Sequence, residues 1–147
     1  MNSSDLVSDV ASRSDPAQLW QYYGSSSAFA SALSGTTDKK SLPYKAALRN
    51  VQRWIKGTRT PSKATQEKLK QLRPAPHKIK LDGTIAVNGQ GKKYERKRSV
   101  EIAIDDDEWE RLQELAEAGD EDGFLEELGG AYGVDFIDLV DGTVDIE

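Results

Sequence analysis

The chain has 147 residues, no cysteine, 25 acidic against 20 basic residues, and a net charge of −5. That length suits one compact domain or two small ones, and the lack of cysteine excludes disulfides and thiolate metal sites and fits a reducing compartment. No run approaches the roughly 18–20 apolar residues of a membrane-spanning helix, and the N-terminus MNSSDLVSDVASRSD, with no basic start and no apolar core, does not read as a secretory signal.

In chain order, residues 1–14 are rich in Ser and Asp and are expected to form a disordered tail. Asp15-Pro16 reads as a cap with proline at the first helical position, opening a short helix over Pro16–Tyr23 that Gly24 ends. Ser25–Leu33 reads as a second helix with Phe29, Ala30 and Leu33 on its apolar side, and Thr36–Ser41 as a polar turn. A third helix is expected from Pro43 to Lys56, because Ala47, Leu48, Val51, Trp54 and Ile55 recur at helical spacing and Gly57 stops it. A fourth starts near Thr60-Pro61 and reaches about Leu72 with Leu69 and Leu72 inward. Residues 74–78 form a Pro-rich linker within RPAPHK, since two prolines in three residues cannot continue a helix.

Beyond the linker the period changes from 3.6 to 2. Lys78–Asn88 and Tyr94–Ile104 read as strands joined by the turn GQGKK. Helices follow over Asp106–Ala118 and Asp120–Tyr132, then a strand over Val134–Ile146 that a turn at Asp141-Gly142 could interrupt. The expected fold class is α+β: an N-terminal all-α helix-turn-helix bundle over 15–73, then a small acidic ββααβ domain over 79–147.

The modest net charge hides a strong asymmetry. Residues 39–80 hold thirteen Lys and Arg against one acid, Glu67, a net +12, whereas residues 99–147 hold eighteen acids against Arg111, a net −17. Phosphates meet a local patch and not a whole-chain average, so this distribution overrules the acidic total. On the third helix Lys45, Arg49, Gln52, Arg53 and Lys56 share one stripe opposite the apolar one. Arg bridges the O6 and N7 of guanine and Gln the N6 and N7 of adenine, whereas Lys suits phosphate. Arg49, Gln52 and Arg53 are therefore the expected base contacts. Lys45 and Lys56 are expected on phosphate, and Lys39, Lys40, Tyr44, Asn50, Arg59, Ser62 and Lys63 at phosphates or edges, the last two beside a helix N-terminus whose free N–H groups suit an anion. An ordinary solvated face mixes charges of both signs; this one lacks acids.

Phe29–Gly35, a turn, a basic helix and then Trp54-Ile-Lys-Gly57-x-Arg59-x-Pro61-Ser62 resemble the lambda-repressor/Cro-like class of helix-turn-helix domains over residues 16–73. The resemblance implies that Ala28–Ser34 is the first helix of the motif and Pro43–Lys56 the recognition helix, and that the partner is double-stranded DNA. The same ending would also suit a plasmid or telomere replication protein.

The acidic half has three readings: a dimerisation domain, which is preferred because pairing two half-sites adds specificity; a surface for a basic partner; or a competitor for the chain's own basic helix. Its hairpin and last strand offer edges that would pair across a two-fold axis. Residues 92–98 (KKYERKR) read equally as a secondary DNA contact or as lysines protecting an edge strand. Asp105–Glu108 reads as a cap and an acidic first turn and not as a metal site. Asp120–Gly123 lacks the glutamate of a calcium loop, Ala131 standing at that place. Nothing supports catalysis: His77 is alone in the linker, and Gly89-Gln-Gly91 leads into no helix and so is no phosphate cradle. No cofactor or metal is expected. The expected function is a sequence-specific DNA-binding regulator of phage, plasmid or chromosomal origin, dimeric and cytoplasmic at the nucleoid. The alternative is a replication or partition adaptor that marks a DNA site and recruits a partner through its acidic domain.

Overall fold

The structure, a computed structural model, describes residues 1–89 and 92–147. It is mixed α+β, with seven helices and a three-stranded antiparallel sheet among the described residues. The helices are α1 (Ser3–Ser12), α2 (Pro16–Tyr23), α3 (Ser26–Ser34), α4 (Leu42–Ile55), α5 (Lys63–Lys70), α6 (Asp106–Glu117) and α7 (Glu121–Tyr132), and the strands are β1 (Lys78–Gly89), β2 (Lys92–Ala103) and β3 (Phe136–Ile146). The expected GQGKK turn lies in part outside the described residues. None of these helices is long and apolar enough to cross a membrane.

The chain divides into two compact units, one of residues 12–74 and one of residues 1–11 with 75–147. Residues 1–14 are therefore not the disordered tail expected from their composition. Leu6, Val7 and Val10 recur at i, i+1 and i+4, make one apolar side of α1, and are buried in the core of the sheet unit. The Pro-rich stretch 74–78 is likewise no free linker. Pro76 is buried, and His77 donates its N–H to the Glu147 carbonyl at 2.7 Å while its own carbonyl accepts from Ile104.

The helical unit closes around Leu19, Phe29, Ala30, Leu33, Tyr44, Ala47, Val51 and Leu69. Tyr23 stacks on Phe29 at 5.9 Å between ring centroids and donates its hydroxyl to the Leu72 carbonyl. Asp15 stands at the N-cap of α2 but makes no side-chain cap bond. The helix expected from Thr60-Pro61 begins instead at Lys63, because Ser62 takes the cap and accepts the Thr65 N–H.

In the sheet unit β1 is central, flanked by β2 and β3. Ile79, Leu81, Ile85 and Val87 alternate on one face, opposite Ile102 and Val100 on β2 and Leu139 and Ile137 on β3, and this face joins Trp109, Leu112, Phe124, Leu125 and Leu128 of the two acidic helices in one core. β3 is not interrupted at Asp141-Gly142. It runs through with a register shift opposite Thr84/Ile85, and Gly142 pairs with Gly83. The outer edge of β3 is already occupied: Leu139 donates its N–H to the Ser3 hydroxyl at 2.7 Å and Gly142 to the Met1 carbonyl at 3.0 Å. Ser3 in turn donates to the Asp138 carboxylate.

Candidate nucleic-acid interface

The helical unit carries twelve Lys and Arg against Asp15, Asp38 and Glu67, a net +9, and the sheet unit a net −14. The cations gather on and around α4. Ser41 caps this helix, accepting the Tyr44 N–H at 3.3 Å, and proline follows in the first turn, where a missing N–H costs nothing. At the other end Gly57 adopts φ +75°, and Thr58 donates its N–H to the Arg53 carbonyl while Gly57 donates to Trp54, the left-handed stop that closes a helix.

Between these ends Lys45, Arg49, Gln52, Arg53 and Lys56 are all exposed, and Tyr44, Ala47 and Val51 are buried on the opposite side. The exposed row spans about 16 Å along the axis at 1.5 Å per residue. Among the described residues no carboxylate lies within ion-pair reach of Lys39, Lys40, Lys45, Arg49, Arg53, Lys56, Arg59 or Lys63. The acid of this stretch, Glu67, meets Lys70 at 3.4 Å on α5.

The inward side of α4 differs from the expected stripe at two residues. Tyr44, expected at the edge of the DNA face, is 4 % exposed, and its hydroxyl shares a 2.9 Å hydrogen bond with Ser27 on α3. It sits three residues before Ala47 and seven before Val51, which places it on the core side. Ile55, expected inward, is 41 % exposed; Trp54, with its ring 6.3 Å from Phe29, takes the inward place in that last turn.

The remaining edge residues fall around α4 in different ways. Lys39 and Lys40 project from the loop 35–41, which Asp38 organises by accepting the Lys40 N–H at 3.0 Å on its carboxylate and the Ser41 hydroxyl at 2.8 Å on its carbonyl. That loop is longer than the three or four residues usual between the helices of the motif. Arg59 and Lys63 are exposed. Ser62 is also exposed, but its hydroxyl is engaged with Thr65, so the start of α5 is partly capped from within. Asn50 is half-buried, lining a cleft with Trp54, Thr65 and Lys68.

No protein-family model, curated protein or solved structure matches the chain.

Proposed function

We propose that the chain is a sequence-specific double-stranded DNA-binding protein that acts as a transcriptional regulator through α4. The observation that carries this reading is the row Lys45, Arg49, Gln52, Arg53 and Lys56: exposed, with no carboxylate partner among the described residues, and backed by a buried side that anchors the helix. Two guanidiniums and an amide within one turn supply bidentate donors for base edges, and the flanking lysines supply point charges for phosphate. The resemblance of residues 16–73 to lambda-repressor/Cro-like domains supports the same helix as the reader. The protein acts as a homodimer in this reading, through a face of the sheet unit other than the β3 edge, where residues 1–3 lie.

The second reading, an adaptor marking an origin or repeat array, is favoured by the separate unit of net −14, a compact surface suited to a basic partner. Selection of bound sequences from random duplexes separates the two: a palindrome favours the regulator, a tandem repeat the adaptor. Arg49→Ala with Arg53→Ala is expected to abolish the preference for the selected site over random duplex while leaving the melting temperature within a few degrees. Unchanged preference in the double variant would remove α4 as the reading helix.

A further inference from the structure

Five of the eight basic residues of the sheet unit fall in one stretch of seven, Lys92–Arg98. The other three are each matched by a carboxylate. Lys78 lies 3.3 Å from Glu101 and 3.2 Å from Glu147, Lys80 lies 3.4 Å from Glu147, and Arg111 lies 2.6 Å from Glu127. Arg96, Lys97 and Arg98 have no such partner among the described residues, although the unit carries twenty-two acids. Crowding unmatched like charge opposes folding by mutual repulsion. Elsewhere this unit brings its cations and carboxylates together; at Arg96, Lys97 and Arg98, among the described residues, it does not.

Geometry narrows what would answer that charge. β2 is an edge strand, so its outward N–H groups are available, and its side chains alternate across that edge. Tyr94, Arg96 and Arg98 stand opposite Val87, Ile85 and Gly83 on one face, and Lys97 stands opposite Thr84 on the other. Cations thus rim the edge on both sides. Arg96 and Arg98 are about 6.8 Å apart along the strand, close to the rise of two nucleotides along one DNA strand at about 3.4 Å each. Tyr94 is 44 % exposed, with the Arg96 guanidinium 6.0 Å from its ring centroid, and Arg96 is itself exposed.

We propose that the β2 edge from Tyr94 to Arg98 is a second nucleic-acid contact, gripping the sugar–phosphate backbone of duplex DNA without reading bases. It rests on the proposal that the chain binds duplex DNA, but on different residues in a different unit. A peptide adding a strand to this edge would want pockets for its alternate side chains, and here those places are cations that oppose strand addition. A flat anionic membrane would engage one face of the strand, whereas the charge lies on both.

The test uses the full chain and a random-sequence duplex of ~30 base pairs, with affinity followed by fluorescence anisotropy from about 50 to 200 mM salt. Arg96→Ala, Lys97→Ala and Arg98→Ala together are expected to weaken binding roughly tenfold and to lower the slope of log affinity against log salt by about 2.7, near 0.9 for each phosphate released. Preference for a selected site over random duplex should not change, because no base contact is removed. A charge-retaining variant, Arg96→Lys with Arg98→Lys, is expected to keep the wild-type slope, which separates lost contacts from a disturbed strand. If the triple variant matches wild type in affinity and slope, the inference is overturned, while loss of preference in Arg49→Ala with Arg53→Ala still upholds α4. If the triple variant alone loses binding, the edge stands and the α4 reading falls. A triple variant that changes only the sedimentation of the free protein would mark a contact between copies and also overturn the inference.

Discussion

Glu108 is in the first turn of α6 with its Oε2 buried and no hydrogen-bond partner for that oxygen. Burial, and then the neighbouring Asp105, hold its pKa above the ordinary carboxylate value, with Arg111 opposing. A raised folded-state pKa means that folding favours the protonated form; the stability linked to it is present below the unfolded pKa and is lost as pH rises through the folded one. Glu108→Gln is therefore expected to raise the urea midpoint at neutral pH, and to raise it less in acid, below the raised folded-state pKa and the ordinary carboxylate value. A gain equal at both pH values, or a loss at neutral pH, would refute this. In the sequence the run Asp105–Glu108 reads as a cap and an acidic first turn, but Glu108 precedes Leu112 by four residues and so shares its inward stripe. Tyr44 is the parallel case on α4. In both, the spacing was legible, but residue type suggested solvent or ligand, and the helical period prevailed.

At the scale of elements, β1 and β3 pair Gly83 with Gly142, where no room is left for a side chain. A Cβ on Gly83 would lie 2.2 Å from the Asp141 carbonyl oxygen and 2.6 Å from the Gly142 Cα, and Gly83 has φ +143°, a conformation that side chains oppose. The obstruction is backbone, so it cannot turn aside. Gly83→Ala is expected to cost at least about 3 kcal/mol, from forbidden torsion and broken pairing together, and a chemical-denaturation series on the variant checks it. A cost below about 1 kcal/mol would show that the strands separate there with little penalty. The strands themselves follow from period-2 alternation, and the helices from period 3.6 with caps at Ser25, Ser41 and Asp105. What the sequence does not display is which glycine marks a turn and which a close crossing. Asp141-Gly142 has the composition of a turn, yet its glycine serves approach between strands.

For the whole molecule, the helical unit is an insertion between α1 and β1 of the sheet unit. Composition concealed this, since a Ser/Asp-rich start resembles a solvated tail, and the sparse stripe of Leu6, Val7 and Val10 has no meaning without the distant sheet. Leu6→Ala is expected to destabilise the sheet unit by about 2–5 kcal/mol, as removal of a fully buried Leu does. Amide hydrogen exchange should show β1 losing protection while α4 keeps it; equal loss in both would mean that the two units unfold as one. The charge division, by contrast, was legible from residue counts alone, because it needs no partner to be seen.

The insertion has a mechanical consequence. Met1 and Glu147 belong to the same unit, so tension applied at these residues is borne by the α1 and β3 contacts. The inserted helices lie outside that load path and feel no force until α1 has been torn from the sheet. The helix proposed to read bases, α4, is thus shielded from a pull between Met1 and Glu147, whereas the proposed β2 contact lies in the loaded unit.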